Sequence, residues 1–374
     1  MAVKLRPGLQ GAHFVHPLDR GGMRALVDRI SASPARTQLD RLAREAEEEF
    51  YLLNLADNTR LSEAQGGSVH RLVASVAGVL GMPVPHVFLD SSPALRPRAL
   101  GREKACLVLP SAVVDGLDEG ALRAAVGREL GHLLCGHGFF RLLAEGFDRI
   151  LGASGGVPLL GPLLMGLKLV LLDWYRKSEL TADRAALLAV QDRAAVERGI
   201  LWLAGGSTRI GAELTVEGYR AQADELEAIL ERKRTGGVFD RMGHWFSGVV
   251  LDELASPSPW PAVRLRHVAA FAASAQYERL LAGEYEEVLG AAAAAAATPG
   301  GEVGEGAPAT ASDAGGLQTL REDVAQYLGS AGRSASGALR GLFGRATAPA
   351  APTPTAGPPP EPPLAGAPDL PGGG

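Results

Sequence analysis

GRELGHLLCGH, residues 127–137, is the stretch that decides the fold of this chain. Asp118 has the side chain of a helix N-cap, and the sequence from Glu119 to about Cys135 fits one helix that ends at the glycines that follow. On a helix, residues four apart point in nearly the same direction. The stretch therefore predicts a helix that presents positions 128 and 132 on one face, where two side chains can meet one ion.

The pattern in this helix is one residue away from HExxH. In HExxH two histidines bind zinc, and the glutamate between them acts as general base. Glu129 and His132 stand at the base position and at the second ligand position. Arg128 stands where the first histidine would be, and a guanidinium has no lone pair for a metal and stays protonated at physiological pH. Arg128 is therefore excluded as a zinc ligand.

A second long helix, predicted from about Leu167 to Val190, carries two carboxylates four residues apart, Glu179 and Asp183. A catalytic zinc needs three protein ligands plus water, and one ligand is commonly a carboxylate from a separate helix. Glu179 is the candidate ligand, and Asp183 is the candidate partner that orients a ligand histidine. The same carboxylates can instead pair with Arg128, so the sequence also predicts a salt bridge between the two helices.

RELGHLLCGH followed by WYRKSELTADRAALLA resembles the HtpX-like zinc metallopeptidases, peptidase family M48. PHVFLDSSP lies at the matching place upstream, and the resemblance covers residues 65–290. It implies a zincin-like (gluzincin) fold, which is α+β and mostly helical, with a small β-sheet beside the active-site helix. The resemblance also implies Glu129 as base, His132 and Glu179 as ligands of one zinc ion, and Asp183 as their support.

The sequence departs from this family at three places. Arg128 replaces the first zinc ligand. The edge-strand region reads PALRPRALG, where Pro97 removes a backbone donor and so weakens strand-like capture of a peptide. A distal block that usually begins with His-Pro reads Trp260-Pro261, although its arginine, Arg264, is retained.

His137 is a further candidate ligand, five residues beyond His132. Five residues rotate the side-chain direction by about 140° on a helix, so His137 can join the ion of His132 only if the helix ends first. A histidine at a helix C-terminus also interacts favourably with the last carbonyl groups. The second interpretation is the better supported.

Composition divides the chain into three predicted parts: a helical cap at residues 1–64, a metallopeptidase-like domain at 65–290, and a tail at 291–374. The tail is rich in Ala, Gly and Pro and lacks the large apolar residues that offset ordering entropy, so it is predicted to be disordered. Within it, apolar residues at helical spacing predict one short helix at 317–328. Two apolar runs, HVFLD and ACLVLPSAVV, are predicted as strands.

Charge and hydropathy bound the partners and the compartment. The net charge is -5 without a basic stripe, which argues against nucleic acid as a partner. The first twenty residues lack the apolar run of a signal peptide, which predicts a cytoplasmic protein. Residues 150–172 are almost uncharged but interrupted by Gly, Pro and Lys. They are predicted as a buried helical hairpin, with membrane association as the alternative.

Three functional hypotheses remain open. The favoured one is a metallopeptidase-family scaffold, a pseudoenzyme whose proteolysis is impaired or lost through Arg128 and which binds a peptide, an unfolded protein or a partner. The first alternative is an active zinc-dependent endopeptidase with Glu129 as base. The second is a membrane-associated quality-control scaffold. Loss of a metal ligand favours the pseudoenzyme hypothesis. Even changes to residues around the ligands cost about 10–100-fold in metal affinity or activity, and loss of a ligand itself costs more.

Overall fold

The computed structural model describes residues 5–21, 36–91, 96–138, 140–141, 160–207, 209–235 and 258–297. The predicted helix at 317–328 and all but the first seven residues of the predicted tail lie outside these residues. The first part of the run at 150–172 lies outside them as well.

The described chain is mostly helical with one small sheet, which confirms the predicted secondary-structure class. Its helices are α1 Gly11–Phe14, α2 Arg36–Asp57, α3 Gly67–Leu80, α4 Ser111–Gly116, α5 Glu119–Leu134, α6 Leu160–Val190, α7 Arg193–Gly205, α8 Val216–Thr235, α9 Pro261–Ala272, α10 Ala275–Ala282 and α11 Tyr285–Ala297. Its strands are β1 Thr59–Leu61, β2 His86–Asp90, β3 Arg98–Leu100 and β4 Cys106–Pro110.

The strands form a mixed sheet in the order β1-β2-β4-β3. The two predicted strands, β2 and β4, lie in the centre and pair in parallel, and β4 is buried along its whole length. The two edge strands pair antiparallel with them. The edge strand β3 lies in the region PALRPRALG that the family resemblance implied as the edge strand, whereas β1 was not predicted, because three residues including an arginine give no alternating pattern. The edge strand β3 lies beside the helix that carries the quoted motif.

Small residues bring α5 and α6 unusually close together. A Cβ atom added at Gly127 would lie 2.7 Å from the Cβ of Ala189, and one added at Gly131 would lie 2.3 Å from the Cβ of Ala185. Real side chains do not tolerate such distances, so both positions require glycine at this helix spacing. Because Arg128 and His132 directly follow these glycines, the close approach carries them towards the carboxylates of α6.

The N-terminal segment packs into the same core as the rest of the described chain. Leu5, Leu9 and Phe14 are buried in the cluster that also contains core residues of α5 and α6, and β1 completes the sheet by pairing with β2. Described residues on both sides of position 64 therefore share one hydrophobic cluster.

The last part of the described chain forms three helices with local boundaries. The Ser274 side chain caps α10, and Gly283 adopts a left-handed conformation that ends it. The last helix, α11, continues to Ala297, into the predicted tail. Its final residues are alanines, which have the highest intrinsic helix propensity.

The long helix α6 begins at Leu160, earlier than predicted, so residues 160–172 belong to one helix that continues to Val190. Among the described residues, no helix combines the length and the apolar character that a membrane crossing requires.

We expect Gly131→Ala to lower the free energy of unfolding by about 1–3 kcal/mol, because the added methyl group must push α5 away from α6. The measurement is chemical denaturation followed by circular dichroism. Gly78→Ala is the matched control: Gly78 lies on the exposed face of α3 with no atom within 4 Å of the added Cβ. There alanine should raise stability by up to about 1 kcal/mol. Equal effects at the two positions would contradict the close-packing argument.

Candidate functional site

The predicted active-site helix is present, and its start is the predicted one. The Asp118 side chain accepts a hydrogen bond from the backbone N–H of Ala121 at 3.0 Å and so caps α5. This helix carries Arg128, Glu129 and His132 into the interior, where they are 7%, 0% and 0% exposed. Groups that carry charge do not remain so deeply buried without partners, so their partners define the site.

Arg128 is bound by carboxylates on both helices. Its two terminal nitrogens donate hydrogen bonds to Oε1 of Glu129 and Oε2 of Glu179. Its Nε lies 3.7 Å from Oδ1 of Asp183, which is within ion-pair distance. The predicted salt bridge between the two helices is thus confirmed in geometry, and the guanidinium lies between the residues that the family resemblance implied as zinc ligands.

Asp183 pairs with the arginine retained from the distal block. Arg264 on α9 donates from Nε to Oδ2 at 2.8 Å and from Nη2 to Oδ1 at 2.7 Å, which is a bidentate pair. Burial works to lower the pKa of Arg264, but the attraction and hydrogen bonds of Asp183 outweigh it, so the pKa is raised. The structure therefore places Asp183 against Arg264 and Arg128, and not against the ligand histidine it was predicted to orient.

Glu129, the predicted base, has both carboxylate oxygens occupied by donors. Oε1 accepts from Arg128, and Oε2 accepts from the backbone N–H of Ala99 at 2.9 Å and from Arg141 at 3.0 Å. Ala99 lies on edge strand β3, and its carbonyl oxygen is 3.4 Å from Nη1 of Arg141. The polar groups through which Ala99 could pair with an extended peptide are therefore already used.

Three guanidinium groups and three carboxylates meet in this interior. This six-charge cluster consists of Arg128, Arg141, Arg264, Glu129, Glu179 and Asp183. Burial lowers the pKa of Arg128 to about 10, although the neighbouring Glu129 acts to raise it, so the group keeps its charge at neutral pH. Positive and negative charges in the cluster are then equal in number. That balance is what allows so many ionised groups to leave water.

His132 lies at the end of the cluster, and its two ring nitrogens differ in their contacts. Its Nε2 is 3.3 Å from Oε1 of Glu179 but lacks a hydrogen-bond partner among the described residues. Its Nδ1 is 3.0 Å from Nδ1 of His137. Burial, followed by the nearby cation of Arg141, lowers the pKa of His132 well below its ordinary value, so the ring is neutral.

His137 contacts His132 through its ring, which the helix-end interpretation did not anticipate. The helix α5 ends at Leu134, and Gly136 then adopts a left-handed conformation with φ 71°. This turn lets the N–H of His137 bond the carbonyl of His132 at 3.0 Å. Its Nε2 lies 3.2 Å from Oδ2 of Asp19. The rotation argument allowed such a contact only if the helix ended before His137, and α5 does end before it, at Leu134.

The residues present do not fit a zinc ion with three protein ligands. Within the described part of the chain, no three His, Cys, Asp or Glu side chains are grouped so that they could hold a metal ion. His132 and Glu179 are of the ligand type and face each other, but the third contribution on this face is the guanidinium of Arg128, which cannot ligate. The described residues of the unmodified chain therefore lack the ligand set that zinc chemistry requires.

Three residues of the site were missed by sequence reasoning. Arg141 follows the motif by a few residues, Asp19 belongs to the N-terminal segment, and Ser258 lies 3.4 Å from Oε2 of Glu179. Each is brought in by the path of a loop or segment and not by helical spacing. One weak sequence signal was available for Arg141: it is an arginine shortly after a motif whose glutamate was expected to be buried.

Comparison with known proteins supports the resemblance. Residues 63–272 match the profile of Peptidase family M48. The chain is also similar to the plastoglobule-localized metallopeptidase 48, chloroplastic, of Arabidopsis thaliana, with 28% identity over 278 residues, which is 73% of this chain and 76% of that protein. No solved structure matches this chain.

We expect Arg128→Leu to lower the free energy of unfolding by about 3–5 kcal/mol, because it leaves buried carboxylates without their cation. Urea denaturation measures the effect. Adding Glu179→Leu to this variant should recover part of the loss, because it removes one of the unpaired charges. Arg123→Leu is the control on the same helix: its pair with Glu119 is solvent-exposed, so the expected cost is at most about 1 kcal/mol. A similar cost for the two arginines would contradict the proposed pairing.

Proposed function

The chain belongs to peptidase family M48, and from this membership and the contacts of its site we propose that it is a metallopeptidase scaffold whose proteolysis is impaired or lost. Membership implies a zincin-like fold and peptides as the class of ligand. The observation that carries the proposal is the position of Arg128. Its guanidinium occupies the face of α5 where a first zinc ligand would stand, and it binds both Glu129 and Glu179.

The state of Glu129 supports the same proposal. A general base must reach the water or substrate proton that it accepts. Glu129 is 0% exposed and accepts hydrogen bonds from Arg128, Arg141 and the backbone of Ala99. Both oxygens are thus engaged before any substrate arrives. A carboxylate held in this way serves the folded structure and is poorly placed for catalysis.

The space beside Arg128 is also too small for a substrate side chain. A pocket lined by Arg128, Asp183, Arg264 and apolar residues of α4, α5 and α7 encloses about 20 Å³. A volume of about 10–15 Å³ holds one water molecule. This pocket as it stands therefore admits no peptide side chain.

One observation favours the alternative, an active zinc-dependent endopeptidase. Nε2 of His132 has no hydrogen-bond partner among the described residues and faces Glu179, so two ligand-type atoms are in place. An ion there would need Arg128 to leave both carboxylates. The displaced guanidinium would then lose the hydrogen bonds that allow it to remain buried.

The test is the zinc content of the purified chain, by mass spectrometry, together with cleavage of unfolded casein with and without a chelator. We expect the unmodified chain to hold far less than one zinc ion and to show no chelator-sensitive cleavage. Arg128→His restores the two-histidine face and should gain both zinc and cleavage. Adding Glu129→Gln to Arg128→His should keep the zinc and reduce cleavage by at least about 100-fold, because the base is lost.

One result would overturn the proposal in favour of the active alternative. It is close to one zinc ion per unmodified chain after purification, combined with casein cleavage that a chelator abolishes and zinc restores.

A further inference from the structure

Helix α2 carries an apolar surface that faces outward. Leu52, Leu53 and Leu55 are 51%, 53% and 45% exposed, and the adjoining Ala56 is exposed as well. A single exposed leucine is ordinary, but several neighbouring large apolar residues on one surface indicate a place where another molecule docks. We call Leu52, Leu53, Leu55 and Ala56 the leucine face.

The opposite side of α2 is attached to the rest of the fold. Glu47, Phe50, Tyr51 and Asn54 follow the spacing of one helical face, and Glu47 and Asn54 are buried. Phe50 and Tyr51 pack against the buried cluster that β2 and β4 contribute. The side of the helix that meets the sheet therefore contains two polar residues, while leucines lie on the side that meets solvent.

A buried carboxylate prevents α2 from rotating to cover its leucines. Oε1 of Glu47 accepts hydrogen bonds from the backbone N–H of Arg102, at 2.7 Å, and from that of Lys104. Rotation would remove this acceptor from two N–H groups and carry Phe50 and Tyr51 away from the sheet. The leucine face is thus held outward by the contacts on the other side of the helix.

Two carboxylates flank the leucine face along the helix. Glu49 lies four residues before Leu53 and Asp57 four residues after it, so they are about 12 Å apart along the helix axis. Both are exposed, and neither forms an ion pair with another described residue. Glu48, in contrast, pairs with Lys104. The leucine face therefore lies between two negative charges that are available to a partner.

These charges decide between the candidate occupants. In an antiparallel pair of α2 helices centred on Leu53, Glu49 of one copy would face Asp57 of the other, and in a parallel pair Glu49 would face Glu49. Like charges would meet in both arrangements, which disfavours a second copy. Anionic lipid headgroups attract basic segments and would be repelled by the same carboxylates. A basic amphipathic helix satisfies both the leucines and the carboxylates.

We propose that the leucine face docks a helix of a partner protein whose apolar side chains lie between two basic residues about two turns apart. The apolar side chains pack against Leu52 and Leu53, and the basic residues pair with Glu49 and Asp57, which sets the register of the two helices. This surface uses no member of the six-charge cluster. The inference therefore goes beyond the proposed function, and its test does not depend on zinc content or cleavage.

The test is fluorescence anisotropy of a labelled synthetic peptide mixed with the full chain. The peptide forms a helix with leucines on one face between two lysines eight residues apart, and we expect it to bind. Leu53→Gln should weaken this binding by at least about tenfold, because it removes apolar area at the centre of the contact. The matched control is Leu214→Gln, at an exposed leucine outside α2, which should leave the binding unchanged. Circular dichroism checks that both variants keep the fold.

Charge reversal separates docking in this register from a general attraction between a basic peptide and an acidic protein. A second peptide carries glutamates in place of the two lysines, and the unmodified chain should not bind it. The double variant Glu49→Lys with Asp57→Lys should release the lysine peptide and bind the glutamate peptide. Glu213→Lys, at an exposed position outside α2, should change neither result. The proposal is overturned if the lysine peptide fails to bind or if the α2 variants leave its binding unchanged.

Two further results would replace the proposed occupant with another one. The first is a dimer of the unmodified chain in analytical ultracentrifugation that Leu53→Gln dissociates. The second is binding of the unmodified chain to vesicles of phosphatidylcholine and phosphatidylglycerol that Leu53→Gln abolishes. We expect a monomer in the first experiment and no vesicle binding through α2 in the second.

Discussion

The contact between the Arg128 guanidinium and the carboxylates of α5 and α6 is the constraint on which the rest of the site depends. Removing an ion from water costs several kcal/mol even after relaxation, and this cost is recovered only through close opposite charges and hydrogen bonds. Glu129, Glu179 and Asp183 are all at most 2% exposed. A positive charge between α5 and α6, supplied here by the guanidinium of Arg128, is therefore a condition for the helices to pack as they do.

The approach of α5 and α6 explains why this cation can reach three carboxylates. Gly127 and Gly131 remove the side chains that would keep the helices apart, and the alanines of α6 fill the space. The result is a short distance across the interface, suited to any group that bridges the two helices. A divalent ion and a guanidinium both bring positive charge to that place, but only the ion has empty orbitals for His132. Arg128 donates hydrogen bonds to the carboxylates, whereas Nε2 of His132 has no hydrogen-bond partner among the described residues.

Sequence spacing predicted the part of the site that lies on regular helices. The spacing of four placed Arg128 with His132 and Glu179 with Asp183 on one face of each helix, and the HExxH pattern placed Glu129 beside them. The partners outside those helices were not predictable in this way. Asp19, Arg141 and Ser258 reach the site through irregular segments, whose paths depend on tertiary packing and leave no periodic trace. The central strands were predicted from their apolar runs and the edge region of β3 from the family resemblance, whereas the short edge strand β1 depends on neighbours that the sequence does not reveal.

The site therefore consists of two halves with different supports. The carboxylate half consists of Glu129, Glu179 and Asp183. It depends on the charge at position 128, because the guanidinium of Arg128 contacts all three carboxylates. The histidine half lies where α5 ends: the turn at Gly136 brings His137 against His132, and α6 holds Asp19 beside His137 through Trp174 and Thr181. The two halves meet at Glu179, which pairs with Arg128 and lies 3.3 Å from Nε2 of His132. A cation in place of the first ligand therefore satisfies the carboxylates, while this nitrogen has no hydrogen-bond partner among the described residues.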